Sequence, residues 1–318
     1  MNNAERVQPL NNLKNRDVLT LLDFTAEEIH DLLHLAESLK EDKKSRPVHP
    51  LLEGKSLGMI FENASTRTRV SFETGMTQLG GHALFLSPRD MQIGRGEPVK
   101  DTANVLSRYV DGIMIRTNSH ETVEELAAHA DVPVINALTD AYHPCQALAD
   151  LLTIKEHKGK LKGLKTAFVG DGNNVAHSFL IACLKAGMEA SLAVPKGYEP
   201  DEEIWKEIEK TAKHHQAALT LTYSPQEAVK DADVIYTDVW ASMGFEEEQG
   251  TREKDFSGFQ INETLCADAD PSFLFMHCLP AHRGEEVSAG IIDGIHSVVY
   301  DEAENRLHAQ KALLASIM

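Results

Sequence analysis

Apolar positions along the chain switch between a helical period and short continuous runs. Leu19, Leu22, Ile29, Leu32, Leu33 and Leu35 recur at helical spacing, with Thr25 placed to cap a helix. After a polar stretch at 40–50, Ser56-Leu57-Gly58-Met59-Ile60-Phe61 reads as a buried strand, and a helix follows from about Thr66 to Leu79, ended by Gly80-Gly81. The alternation continues with strands at His82–Leu86, Gly112–Arg116 and Pro133–Ala137, and helices at Thr102–Tyr109 and Thr122–Ala130. A long helix, Gln146–Lys158, links this series to a second one. Its strands are expected at 165–169, 190–194, 220–222, 234–237, 274–277 and Ser297–Val299. A last amphipathic helix, Glu302–Ile317, carries Leu307, Leu314 and Ile317 on one side. Repeated βα units with short connections predict an α/β fold. Two domains are expected, each a parallel sheet covered by helices, joined by long interdomain helices.

Composition narrows the field. A chain of 318 residues, 42% hydrophobic and 25% charged, has ordinary globular composition and the length of two domains. Lys plus Arg number 31 against 49 Asp plus Glu, a net charge of −18. Such an excess of acid argues against a nucleic-acid partner, which needs a dense basic face. The first residues lack the apolar core of a signal peptide, and no run approaches the ~18 apolar residues of a membrane span. Four scattered cysteines, Cys145, Cys183, Cys266 and Cys278, form no C-x-x-C pair. They suit a reducing cytoplasm better than a disulfide scaffold or a zinc ribbon.

Chemistry is expected where strands hand over to helices, because open parallel sheets bind ligands at the carboxyl ends of their strands. The first such turn, Phe61 to Glu73, gathers Ser65, Thr66, Arg67, Thr68 and Arg69. Hydroxyls, helix N-terminal amides and guanidiniums together make a phosphate cradle, and arginine at the positive end of a helix is unfavourable unless an anion sits there. The second, His143-Pro144-Cys145-Gln146, places a histidine at a helix start, where it can donate to a carbonyl or phosphate oxygen; as a capping residue it would be equally ordinary. Arg116 ends its strand and alone decides nothing. The third, Gly170-Asp171-Gly172-Asn173-Asn174-Val175, resembles a dinucleotide fingerprint and fails it twice. The third glycine is Val175, and the next strand ends Ala193-Val194-Pro195 without an acidic residue for a ribose.

The fourth turn, Asp238 to Gly244, offers a carboxylate for an ammonium, and Gly244 and Gly250 flank an acidic stretch able to move as a lid. The fifth, Met276-His277-Cys278-Leu279-Pro280, puts a thiol at a strand end. On an extended strand His277 points away from Cys278, so a papain-like pair is not expected. Histidines show no metal-ligand spacing, and neither a metal nor a cofactor is expected.

In their order these five loops resemble the transcarbamoylase family over essentially the whole chain. Ser65-Thr66-Arg67-Thr68-Arg69 and His143-Pro144-Cys145-Gln146 are shared with the aspartate branch. Asp238 with Ser242-Met243-Gly244, and His277-Cys278-Leu279-Pro280, are similar to the ornithine branch. The resemblance implies transfer of the carbamoyl group of carbamoyl phosphate to the side-chain amine of ornithine, giving citrulline and phosphate. It implies Ser65, Thr66, Arg67 and Thr68 around the phosphate, with Arg306 completing the anion site. Arg116, His143 and Gln146 would address the carbamoyl group, Cys278 and Leu279 the reaction centre. Asn174, Asp238, Ser242 and Met243 would grip ornithine, and Gln92 would reach a neighbouring subunit's site. Arg116, His143 and Cys278 are the expected catalytic residues.

The resemblance further implies homotrimers, or multiples of them, with shared sites. The carbamoyl phosphate domain is expected at 1–145, with helix 302–318 packing back on it, and the ornithine domain at 146–301. Cys145, where some relatives carry Thr, is a departure with little expected effect. A related amine such as putrescine is the alternative acceptor. A binding relative without turnover would have lost some of Arg67, Arg116, His143 and Cys278, and all are present.

Elementary chemistry agrees with transfer. A primary ammonium has an ordinary pKa near ~10.4, so the site must favour the neutral amine, and nearby guanidiniums do so. They also stabilise the oxyanion and the departing phosphate.

Overall fold

The structure is a computed structural model describing residues 8–42, 48–87, 89, 91–93, 96–241 and 246–318. The chain divides into two compact units, one running to Leu152 and resuming at Glu304–Met318, the other Thr153–Ala303. No helix among the described residues is long and apolar enough to cross a membrane.

In the first unit, α1 (Ala26–Asp42) starts directly after Thr25, and the leucines before it fall in a separate 3-10 turn, Leu21–Asp23. Thr25 closes a reciprocal capping box there: its Oγ1 accepts from Glu28 N at 3.1 Å, and Glu28 Oε2 accepts from Thr25 N at 2.9 Å. The chain then forms β1 (Ser56–Phe61), α2 (Thr66–Gln78), β2 (His82–Leu86), α3 (Val99–Leu106), β3 (Gly112–Arg116), α4 (His120–His129), β4 (Val134–Leu138) and α5 (Pro144–Lys158). Helix α3 lies a few residues before its expected span, since Pro98 fixes its start. The four strands are parallel in the order β2-β1-β3-β4. The buried runs of β1, β3 and β4 explain why they read as continuous apolar segments. The register of β3 on β4 slips between Ile115, which faces Asn136, and Arg116, which faces Leu138. This bulge re-aims the last residue of β3.

The second unit continues with β5 (Lys165–Val169), α6 (Asn174–Lys185), β6 (Glu189–Ala193), α7 (Glu202–His215), β7 (Leu219–Thr222), α8 (Pro225–Val229) and β8 (Val234–Tyr236). It then forms α9 (Gln249–Asp255), α10 (Glu263–Cys266), β9 (Leu274–Met276) and α11 (Ala289–Ile292). Its parallel sheet runs β7-β6-β5-β8-β9. Phe256, Phe275, Ile235, Val169 and Trp240 belong to its apolar core.

The final helix, α12 (Val299–Ile317), corrects one expectation. Ser297–Val299 is not a strand: Ser297 makes a single bridge to Phe275, and Val299 already opens the helix. Asp301 and Glu302 in the first turn favour that helix start electrostatically. From Glu304 onward α12 belongs to the first unit, where buried Lys311 donates to Gln78 Oε1 at 3.0 Å.

Both sheets have a switch point where consecutive strands depart in opposite directions, between β1 and β3 and between β5 and β8. The loops leaving those strands carry most of the expected site residues, as open α/β sheets require.

Candidate active site

In the first unit, Ser65 caps α2, its Oγ accepting from Thr68 N at 3.3 Å. The Ser65 hydroxyl donates in turn to Thr68 Oγ1 at 3.0 Å. Thr68 is buried, Ser65 and Arg67 are half-buried and Thr66 is exposed, so the turn presents amides, hydroxyls and a guanidinium at a positive helix end. Arg69 takes no such part. It pairs with Glu73 at 2.9 Å and stacks 3.8 Å over the Phe85 ring.

Arg306, buried on α12, donates from Nη2 to Thr68 Oγ1 at 3.3 Å and from Nη1 to Gln146 Oε1 at 2.7 Å. Gln146 passes the contact on, its Nε2 donating to buried Asp150 at 2.8 Å. In this arrangement Gln146 orients a guanidinium. His143 directly precedes Pro144, the first residue of α5, and its carbonyl accepts from Gln146 N at 3.1 Å. The loop before it is closed by Tyr142 N donating to Thr139 Oγ1 at 3.1 Å.

Burial, reinforced by the Arg306 and Arg116 charges, holds His143 well below the ordinary imidazole range. It is therefore neutral at pH 7, a hydrogen-bonding group flanked by two fixed cations. Arg116 reaches this cluster from the bulged end of β3 and is buried. Burial pushes the Cys145 thiol up to about 12, although the Arg306 charge pulls the other way. The thiol remains protonated and lies 3.6 Å from Asn136 O.

In the second unit, Asp238 is the hub. Asn173 Nδ2 donates to its Oδ2 at 2.9 Å, and the Cys278 thiol donates to its Oδ1 at 3.1 Å. Asn173 also caps α6, accepting from Val175 N and Ala176 N at 3.0 and 3.1 Å. Asn174 follows it, buried in the first turn. The Gly-Asp-Gly loop is not a pyrophosphate turn. A Cβ at Gly172 would lie 2.5 Å from Pro200 N and 2.8 Å from Tyr198 O, so this glycine accommodates the chain's own backbone.

Arg252 of α9 spans the far side of this loop, donating to Asp171 Oδ2 at 2.6 Å, to Trp240 O at 2.8 Å and to Glu248 Oε2 at 3.0 Å. Burial raises the Asp171 carboxyl despite the Arg252 charge beside it. Ser242, Met243 and Gly244 lie outside the described residues. Gln92 is exposed on the connection from β2 to α3.

The expectation that His277 points away from Cys278 fails. Strand β9 ends at Met276, and a ring nitrogen of His277 lies within 4.8 Å of the Cys278 sulfur and an Asp238 oxygen. These three residues, and separately His282, Glu285 and Glu286, have donor atoms spaced to accommodate a metal ion. Spacing along the sequence hid both groups. The first assembles from two strand ends, the second from one tight loop. In the first group, however, every side chain already hydrogen-bonds to protein groups. In the sequence Asn173 stands out, with Asn174, only as an asparagine at a helix start, an N-cap residue type. Arg252 was missed, and nothing local marked it.

Comparison with known proteins matches each half to a domain of one family. The model of the aspartate/ornithine carbamoyltransferase carbamoyl-P binding domain matches residues 16–156, and that of the Asp/Orn binding domain matches 162–317. The chain is 65% identical over 306 residues to an ornithine carbamoyltransferase of Halalkalibacterium halodurans, covering 96% of each. The solved ornithine carbamoyltransferase of Pyrococcus furiosus superposes with a TM-score of 0.93 at 57% identity, covering 96% of this chain and 98% of that one. The anabolic ornithine carbamoyltransferase of Campylobacter jejuni gives 0.89 at 48% identity, covering 94% and 97%. Matched along both halves, the chain belongs to the aspartate/ornithine carbamoyltransferase family.

Proposed function

We propose that the protein transfers the carbamoyl group of carbamoyl phosphate to the side-chain amine of L-ornithine, giving L-citrulline and phosphate. The observation that carries this is the buried first-unit cluster of Arg116, Arg306 and a neutral His143 beside the capped start of α2. Two guanidiniums and a helix N-terminus suit a phosphate dianion. A neutral imidazole can hydrogen-bond a carbonyl oxygen without adding a third cation.

Ser65, Thr66, Arg67, Thr68 and Arg306 hold the phosphate in this reading, while Arg116, His143 and Gln146 address the carbamoyl oxygen and nitrogen. Asp238 takes the α-ammonium of ornithine, with Asn174, Ser242 and Met243 completing the grip. Cys278 and Leu279 face the reacting carbonyl. The ornithine ammonium first loses a proton to solvent, which the neighbouring guanidiniums favour. The amine nitrogen then attacks the carbonyl carbon, and charge collecting on oxygen is met by Arg116 and His143. The carbon–oxygen bond to phosphate breaks with its electron pair on phosphate, which also takes the proton released by the attacking nitrogen. Neither a covalent enzyme intermediate nor a metal is needed for these steps.

The reading includes a cytoplasmic homotrimer, with exposed Gln92 offered to a neighbouring subunit. Free cysteines are consistent with that compartment. The test is an acceptor screen with carbamoyl phosphate and ornithine, aspartate or putrescine. Citrulline from ornithine alone is the expected result; turnover of aspartate or putrescine in its place refutes the assignment. Sedimentation then reads the oligomer.

A further inference from the structure

The turn that presents Cys278 is held from three sides within the second unit. The His277 backbone N donates to Glu302 Oε2 at 3.0 Å, and Glu302 Oε1 accepts from Tyr236 Oη at 3.0 Å. The fully buried His277 ring has partners at both nitrogens. Leu279 N donates to Nδ1 at 2.9 Å, and Nε2 lies 3.2 Å from Glu286 Oε1. A backbone amide can only donate, so Nδ1 carries no proton and the ring proton sits on Nε2, directed at Glu286. Glu286 is itself fully buried, its Oε1 fixed by His282 N at 2.5 Å.

The side chain of His277 thereby closes a ring onto the backbone two residues ahead, with Cys278 at its apex. Leu279 has φ of 58°, a left-handed conformation that crowds the Cβ of an L-residue against the following carbonyl oxygen. Such a residue persists where its surroundings over-determine it. Here the imidazole acceptor and its carboxylate partner do so. Were the proton on Nδ1, it would oppose the Leu279 N–H and open the turn.

We propose that His277, held in its Nε2–H tautomer by Glu286, is a positioning residue that shapes the Cys278–Leu279 turn and so sets where these two residues meet the reacting carbonyl. The placement at that carbonyl rests on the proposed carbamoyl transfer; the tautomer and the turn rest on the hydrogen bonds alone.

The experiment uses the full chain and substitutions that separate acceptor position from bulk. His277→Asn keeps an acceptor oxygen near Nδ1. His277→Gln fills more of the space and lacks an acceptor there. Glu286→Gln keeps the acceptor oxygen for Nε2–H, and Glu286→Ala removes it. Two readouts are taken: steady-state citrulline formation, and the rate at which iodoacetamide alkylates Cys278, followed by peptide mass spectrometry. Expected are losses in kcat of about 10²-fold for His277→Gln and Glu286→Ala, the size of effect that a displacement near 1 Å produces. The KM for ornithine should move less than about threefold, and Cys278 alkylation should change in the same two variants. His277→Asn and Glu286→Gln should each recover most of the loss.

His277→Gln matching or exceeding His277→Asn would overturn the proposal, as would Glu286→Gln being as impaired as Glu286→Ala. Unchanged alkylation in every variant overturns it equally. Should Glu286→Ala fail to fold, the ranking of the two His277 variants still decides. Ordered alkylation rates in a protein making no citrulline would uphold the turn and refute the carbamoyl-transfer reading instead.

Discussion

Replacing Arg306 by Met asks whether a buried guanidinium serves the fold or the ligand. The side chain is 3% exposed and holds Gln146 Oε1 and Thr68 Oγ1. Losing two charge-assisted hydrogen bonds removes about 3–6 kcal/mol. Against this, the substitution relieves a guanidinium desolvation penalty of several kcal/mol, and methionine refills most of the volume. The two effects offset, so the folding free energy should change by no more than about 2 kcal/mol in a urea titration. Function is not offset. A preorganised donor aimed at developing charge is worth about 10²–10³ in rate, or roughly 3–4 kcal/mol. The pKa of His143 should also rise toward the ordinary imidazole value while staying below it, because the Arg306 charge disappears and burial, the larger cause, remains. Citrulline kinetics, calorimetric titration with carbamoyl phosphate and an NMR pH titration of His143 measure the three quantities. A rate loss under tenfold, with the His143 titration unmoved, would refute the assignment of Arg306 to the anion site.

Arg67→Ala should weaken carbamoyl phosphate binding by about tenfold or more while leaving the melting curve nearly in place, since the half-buried side chain sits at the mouth of the cradle. Arg252→Ala breaks a buried pair with Asp171 and should cost about 3 kcal/mol in a denaturant titration, with a higher KM for ornithine as the Trp240 anchor is lost. Gly172→Ala forces backbone apart at Pro200 and Tyr198 and should destabilise by about 1–3 kcal/mol, whatever nucleotide is added. Asp17, whose carboxyl is raised by burial although Val134 N donates to it at 2.8 Å, contributes stability that is full below its unfolded pKa and is lost as pH rises through the folded value. Asp17→Asn keeps an acceptor for that amide and should flatten the pH dependence of stability from about pH 4 upward; an unchanged slope refutes the account.

Much of this was legible one residue at a time. Strands buried on both faces announce themselves as apolar runs, and caps such as Thr25 and Ser65 sit where their side chains are needed. The hydroxyl- and arginine-rich turn before α2 was readable because arginine is misplaced at a positive helix end unless an anion joins it. What stayed hidden was long-range. The depression of the His143 pKa beyond what burial causes draws on Arg306, far along the chain, and the orientation of Arg306 depends on Gln146. The geometry of Cys278 depends on Glu286 and Glu302, which look like surface acids in the sequence and are buried acceptors in the fold. The Ser297–Val299 error has the same root. Its β-branched residues suit a strand, yet no neighbouring edge offers more than one bridge before the helix begins.

Glu304–Met318 belong to the first unit although the whole second unit intervenes in the chain. The first unit is therefore discontinuous, and Asn15 N finds its partner only in Ile317 O, at 2.8 Å. Domains on the ribosome generally fold in the order they emerge. Here that order inverts: residues 153–303 are complete before the earlier-made unit receives Arg306 and Lys311. The turn at Ser65–Thr68, translated before the second unit, is finished after it, and a nascent chain halted before α12 would lack the Arg306 guanidinium that bonds Thr68.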